Sequence, residues 1–315
     1  MGLLSLLSRY KFTLFGVLAV LLWSAVLHIV RIVSEDFGAI GGAALVYTYS
    51  ALFLVAFSGI PNIKTYPKRY VVIGGTLFVA YELCLSLSLG FANSREQSAQ
   101  VLIVNYLWPL FTILGAVICK NTQANSILLL PGSVLAFVGV CLVVSGDSSL
   151  LEGMLSNIIS NPLAFLLAFS GAIIWAIYCN LTKYMSGGHN TISLFFIFTA
   201  GTLWLKWCFL DAGFNSGFSF SSVFLLALAG GGMALGYGLW NKAIIGGNMI
   251  LLAAISYFTP VFSGVFAALI LGVSLQQSFW LGVVSVTVGS LLCWQSTRYK
   301  NQRISQVQSV LDNTE

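Results

Sequence analysis

The chain has 315 residues, of which 58% are hydrophobic and 7% charged, where soluble domains carry roughly a quarter charged residues. Its mean hydropathy of +0.94 excludes an ordinary soluble fold. The net charge of +5 is a matter of membrane topology and implies no nucleic-acid partner.

Apolar runs of about twenty residues, each able to cross a hydrocarbon core of roughly 30 Å, follow one another along the chain. They fall at 12–33, 40–60, 70–91, 96–119, 126–145, 162–184, 191–210, 220–244, 247–272 and 278–297, here segments 1 to 10. Barrel strands would alternate polar and apolar residues, so helices are expected. The predicted class is an all-α integral membrane protein with ten transmembrane helices.

Segment 1 has too long an apolar run for a signal peptide and no small-x-small cleavage site, so it is expected to stay. It carries Trp23 and a lone structural histidine, His28. In segment 3, Tyr81-Glu82-Leu83-Cys84 holds the only acid deep in a segment. An ionisable group at that depth is a functional candidate by default, as a proton carrier or a partner for a substrate ammonium. The alternative is a structural hydrogen bond to a neighbouring Tyr, Ser or Asn. Ser94 and Gln97 read as a capping box opening segment 4.

Asn105-Tyr106-Leu107-Trp108-Pro109 follows in that segment. Proline has no N–H to donate and crowds the carbonyl four residues back, so the Asn105 carbonyl should be released toward a cavity. Trp108 shares a face with Asn105 at i,i+3, as Trp175 does with Tyr178 in segment 6. Glycines 230–232, 236 and 238 in segment 8 allow close helix packing; they follow no strand, so a phosphate loop is excluded. Lys242 at the end of that segment can snorkel to the interface. Segment 9 holds Ser256-Tyr257-Phe258-Thr259-Pro260, which should release the Ser256 carbonyl. Residues 301–315 read as a polar, disordered tail.

Tryptophan position separates a belt from a pocket. Trp204, Trp207, Trp240, Trp280 and Trp294 lie toward segment ends, where an interfacial belt is the default. Trp23, Trp108 and Trp175 lie mid-segment, where the indole N–H needs a partner or a wet cavity. The six cysteines are scattered without paired spacing, suggesting neither zinc nor disulfides, and no cofactor is expected.

The second half repeats the first. Trp23 recurs as Trp175 at an offset of 152, Tyr106-x-x-Pro109 as Tyr257-x-x-Pro260 at 151, and Gly132 and Gly139 as Gly282 and Gly289 at 150. Five segments per copy make the repeats inverted, over 1–150 and 151–300, with the polar linker Ser145–Asn161 between them. With a cytoplasmic N-terminus, 11 of the 14 cations, among them Lys64, Lys68, Lys120 and Arg298, fall inside. Six acids, Glu35, Asp36, Glu96, Asp147, Glu152 and Asp211, fall outside. Both termini are therefore expected in the cytoplasm, with 301–315 a cytoplasmic tail.

The stretches FGVLAVLLWSAVLHIVRIVSE, YELCLSLSLGFA, VNYLWPLFTIL, FSGAIIWAIYCNLTKY and SYFTPVFSGVFAAL carry a resemblance to a known family. The chain resembles the ten-helix, EamA-type members of the drug/metabolite transporter superfamily, and among them bacterial exporters of aromatic amino acids. That resemblance implies a multi-pass inner-membrane secondary transporter with a central cavity and pocket aromatics at Tyr106, Trp108 and Trp175, facing Pro260. Export of other amino acids, metabolites or cationic drugs is the alternative within the superfamily. The implied partners are a small-molecule substrate and lipid, with a monomer as the simplest assembly. Both histidines are isolated and only Glu82 is a buried acid, so an enzyme is not expected. The candidate pathway is Trp23, Tyr81, Glu82, Asn105, Tyr106, Trp108, Pro109, Trp175, Tyr178, Ser256, Tyr257 and Pro260.

Overall fold

The computed structural model describes residues 3–118, 126–145, 154–209, 219–271 and 275–312. These residues are mostly helical, joined by short turns, with no strand among them. The order is α1 (Leu3–Phe37), α2 (Ala39–Ser58), a 3-10 turn (Ile63–Thr65), α3 (Lys68–Gly90), α4 (Arg95–Asn105), α5 (Trp108–Ile118) and α6 (Ser126–Ser145). There follow α7 (Met154–Ser160), α8 (Pro162–Met185), α9 (Ile192–Phe209), α10 (Phe220–Gly246), α11 (Met249–Ser256), α12 (Thr259–Leu271) and α13 (Gln277–Asp312).

Nine stretches among the described residues are long and apolar enough to cross a membrane; in α1 the apolar stretch, Tyr10–Val26, is shorter. Large apolar side chains such as Leu52, Val72, Leu166, Leu205 and Val284 are exposed along these helices, as lipid-facing rows are. Lys120, Asp147, Glu152 and Asp211, used above to orient the chain, lie outside the described residues, as does the linker over 146–153. The tail departs from expectation: α13 continues as helix to Asp312. Residues 301–312 contain no Gly or Pro and place Ile304, Val307 and Leu311 at helical spacing, which favours helix over disorder.

Glycines set the closest helix pairs. α6 and α13 cross antiparallel, with Gly132 beside Gly289 and Gly139 beside Gly282. A Cβ added at Gly139 would lie 2.6 Å from Val286 N, and one at Gly289 would lie 2.5 Å from Gly132 O. Only glycine permits this approach. α1 runs antiparallel along α10, with Val26 over Gly232 and the Trp23 indole over Gly236, as the glycine cluster predicts. α3 runs antiparallel along α8, where Cys84 lies beside Gly171 and Tyr70 donates to Thr182 Oγ1 at 3.0 Å.

Segments 4 and 9 are each broken into two helices. Tyr106 and Leu107 form a turn between α4 and α5, and Tyr257 and Phe258 a turn between α11 and α12. Pro109 and Pro260 then occupy the second position of the next helix, where the missing N–H costs least. The turns close with Leu107 N to Val104 O at 3.2 Å and Phe258 N to Ile255 O at 3.0 Å. Upstream, Ser94 Oγ accepts from Gln97 N at 3.0 Å while Gln97 Oε1 accepts from Asn93 N at 2.7 Å, so the box closes one residue early.

Candidate functional site

Five helices deliver rings to one buried point. Trp175 of α8 is stacked between Tyr81 of α3, at 4.5 Å between centroids, and Tyr178, at 5.0 Å. Trp108 of α5 meets it edge-on at 6.2 Å and 88°, and Trp23 of α1 lies 6.5 Å away. Trp240 of α10 joins Trp23 at 5.2 Å and Trp108 at 5.6 Å; Tyr237, on the same helix, reaches Trp23 at 5.1 Å and Trp175 at 5.7 Å. Phe78 of α3 packs beneath, 6.0 Å from Trp175. The pairs 78/81, 175/178 and 237/240 are each three residues apart, so each helix presents two rings on one face.

Trp175 and Trp240 are fully buried, and the indole N–H groups of Trp23 and Trp240 have no hydrogen-bond partner. Buried indole donors normally find one. Trp240 corrects the belt assignment: it lies one turn beyond Gly236, where α10 and α1 are in contact, and so points inward. Trp204 also departs from a simple belt, donating Nε1 to Thr48 Oγ1 at 2.8 Å, whereas Trp280 and Trp294 are exposed.

A chain of side-chain amides bounds the cluster on the side where α8 ends and α9 begins. Tyr178 Oη donates to Asn241 Oδ1 at 2.9 Å, Asn241 Nδ2 to Asn190 Oδ1 at 2.8 Å, and Asn190 Nδ2 to Gly238 O at 3.1 Å. Asn180 Nδ2 ties α8 to α5 through Thr112 O at 3.1 Å. Lys183 of α8 reaches Gly247 O beyond α10.

The two broken spans differ. Asn105 is buried, its Nδ2 has no partner, and it faces Gly171 one turn from Trp175. At the matched place Ser256 is self-contained: Oγ donates to Ala253 O at 2.7 Å, and its carbonyl accepts from Thr259 Oγ1 at 2.8 Å. The expected free Ser256 carbonyl is thus corrected by a threonine cap, a group Trp108 cannot supply in the first half. Ser24 Oγ of α1, which donates to Val20 O at 2.6 Å, shares its proton with Thr259 O at 3.0 Å. Pro109 and Pro260 are both buried. Tyr106 is half-buried near Tyr81, while Tyr257 is fully buried toward Cys141 and Cys293, away from the ring cluster. Glu82 sits beside the cluster: Oε2 accepts from Tyr47 Oη of α2, and Tyr237 flanks the carboxyl.

Of the predicted residues, Trp23, Tyr81, Trp108, Trp175 and Tyr178 come together, with Asn105 adjoining. Tyr47, Phe78, Tyr237, Trp240 and Asn241 were missed. The signal for the α10 pair was its i,i+3 spacing, the same as that of Trp175 and Tyr178.

Known proteins are similar to this sequence. It is 45% identical over 293 residues to the aromatic amino acid exporter YddG of Salmonella typhimurium (strain 14028s / SGSC 2262), covering 93% of this chain and 99% of that one. It is 43% identical, with the same coverage, to the aromatic amino acid exporter YddG of Escherichia coli (strain K12). Residues 162–295 match the EamA-like transporter family. The chain belongs to that family. As an EamA-like transporter it is a multi-pass membrane protein and not an enzyme. A solved crystal structure, 19% identical, shares the fold with a TM-score of 0.76 over 91% of this chain and 99% of that one.

Proposed function

We propose that the chain exports aromatic amino acids, Phe, Tyr and Trp, across the bacterial inner membrane, by alternating access to the ring cluster. The observation that carries the reading is that Trp23 and Trp175, matched at an offset of 152, meet within 6.5 Å among six further aromatic rings. A substrate ring entering such a group gains about 0.5–1.5 kcal/mol per well-placed pair. Both exporters of 43–45% identity carry that substrate class in their names.

The architecture we infer is ten spans in two inverted five-helix repeats, 1–150 and 151–300, with both termini and the segment 301–315 in the cytoplasm. The α6–α13 crossing supports it. Gly132 pairs with Gly289 and Gly139 with Gly282, so exchanging each glycine for its equivalent 150 residues away turns one contact into the other. A two-fold axis in the membrane plane would relate the two contacts in this way, and the antiparallel run of the equivalent helices supports an inverted reading. The proposed pathway is Trp23, Tyr81, Glu82, Asn105, Tyr106, Trp108, Pro109, Trp175 and Tyr178, to which Tyr237 and Trp240 are added, whereas Ser256, Tyr257 and Pro260, expected there from the sequence, are assigned to a structural second kink.

Counterflow in proteoliposomes tests the substrate. Labelled phenylalanine, tyrosine and tryptophan should exchange with saturation and trans-stimulation. Exchange of none of them refutes it, and equal competition by dissimilar cations points to a broader exporter.

A further inference from the structure

Glu82 lies deep in α3 and is 6% exposed. The groups that face it are hydroxyls: Tyr47 from α2, Tyr237 from α10, and Tyr81 beside it on α3. From α9, Phe196 packs its ring on two of these, Tyr47 at 5.1 Å and Tyr237 at 5.4 Å. Among the described residues no Lys, Arg or His and no second carboxyl faces it. Oε2 accepts from Tyr47, while Oε1 has no hydrogen bond.

A carboxylate in this place would be a buried charge with no counter-cation, which tyrosine dipoles do not neutralise. A purely structural acid would have both oxygens satisfied, since buried polar groups in a rigid network are. We propose that Glu82 is a proton-binding site that couples transport to proton movement in the opposite direction. The closed arrangement holds the carboxyl protonated. Its walls come from α2 and α3 of the first half and α10 of the second, so a relative movement of the halves lets water in. The acid O–H bond then breaks, the proton leaves to that water, and a hydrated carboxylate remains.

Closing again requires a positive charge at Glu82: either a proton, or the ammonium of a bound amino acid. Tyr237 connects the two events, because the ring that flanks the carboxyl also touches Trp23 and Trp175. Proton and substrate therefore replace one another, and each crosses against the other. This inference takes its cargo from the export reading, whereas the proton site is defined by its own neighbours.

Two measurements test it on the full chain. In proteoliposomes with an acidic lumen, the wild type should concentrate labelled phenylalanine severalfold above equilibrium. Glu82→Gln, which is permanently neutral, should bring phenylalanine to an accumulation ratio of no more than one, whatever exchange it retains. Its rate should no longer vary from mildly acidic to mildly alkaline pH. Equal accumulation by Glu82→Gln and the wild type overturns the proposal. Infrared spectroscopy of the same protein reads the site without substrate. The carbonyl stretch of a protonated carboxyl should be present at neutral pH, shifted in Tyr47→Phe and lost in Glu82→Gln. If no aromatic amino acid exchanges, the export reading falls while this band still decides for or against Glu82; absence of the band in the wild type overturns the proton site.

Discussion

The two halves of the chain break a helix at the same block, Tyr-x-x-Pro, and build the two breaks for different ends. At the second, Thr259 caps the Ser256 carbonyl and Ser24 closes on Thr259 O, so the exposed backbone is satisfied from within. At the first, the position of the threonine is taken by Trp108, whose ring lies in the aromatic cluster, and the Asn105 amide is left unpaired beside Trp175. A repeat supplies two copies of a weak point. Here the backbone of one copy is capped by its own hydroxyls, and the other leaves an amide unpaired beside the rings.

The largest expected effect separates the kinks by their matched residues. Trp108→Ala removes a ring contact to the substrate and, with its contacts to Trp175 and Trp240, the packing that holds those rings in place for it; the expected loss in binding is about 2 kcal/mol, or roughly a thirtyfold loss of phenylalanine affinity in counterflow. Trp108→Phe keeps a ring in place and should restore most of that affinity, which separates binding from folding. Thr259→Ala should instead lower thermal stability by about 1 kcal/mol and leave affinity alone. Equal losses of affinity in the two alanine variants would make the kinks equivalent and break the comparison.

Asn105→Ala and Ser256→Ala sharpen it. An amide that donates to a substrate carboxylate contributes about 1.5 kcal/mol, so Asn105→Ala should weaken binding about tenfold. It should not destabilise the protein, because it deletes a buried group that already lacks a partner. Ser256→Ala loses the bond to Ala253 O and about 1 kcal/mol of stability, with transport retained. A thermal-shift assay paired with counterflow reads both; a destabilised Asn105→Ala with normal affinity would show the amide to be structural.

How much of this was legible beforehand follows the physics of each feature. Hydropathy reports a span because lipid demands a long apolar run, so nearly every helix was visible. The kinks were legible because proline's missing N–H acts on its own helix. Trp23, Trp108 and Trp175 were legible by depth. Trp240 and Tyr237 were not: they sit near the end of α10, and only the approach of α1 over Gly232 and Gly236 turns them inward. The tyrosines around Glu82 arrive from helices 35 and 155 residues away, a pairing that no local pattern contains. The Thr259 cap was missed for the opposite reason. It is local, but proline acts on the carbonyl four residues back and carries no information about a hydroxyl on its neighbour.

The smallest effect lies wholly within the capped kink. Ser24 donates to Thr259 O and Thr259 Oγ1 to Ser256 O, so α1 grips the turn through the residue that caps it. Ser24→Ala and Thr259→Val should each cost about 1 kcal/mol in thermal unfolding. Because they share one residue, the double variant should depart from additivity by about 0.5 kcal/mol, where independent sites add more closely. Counterflow affinity should be the same in all three proteins, since none of the lost bonds faces the rings. A change in the preference between phenylalanine and tryptophan in either single variant would mean that the second kink also touches substrate. The asymmetry would then lie in the shape of one shared pocket rather than in a division between a binding turn and a structural one.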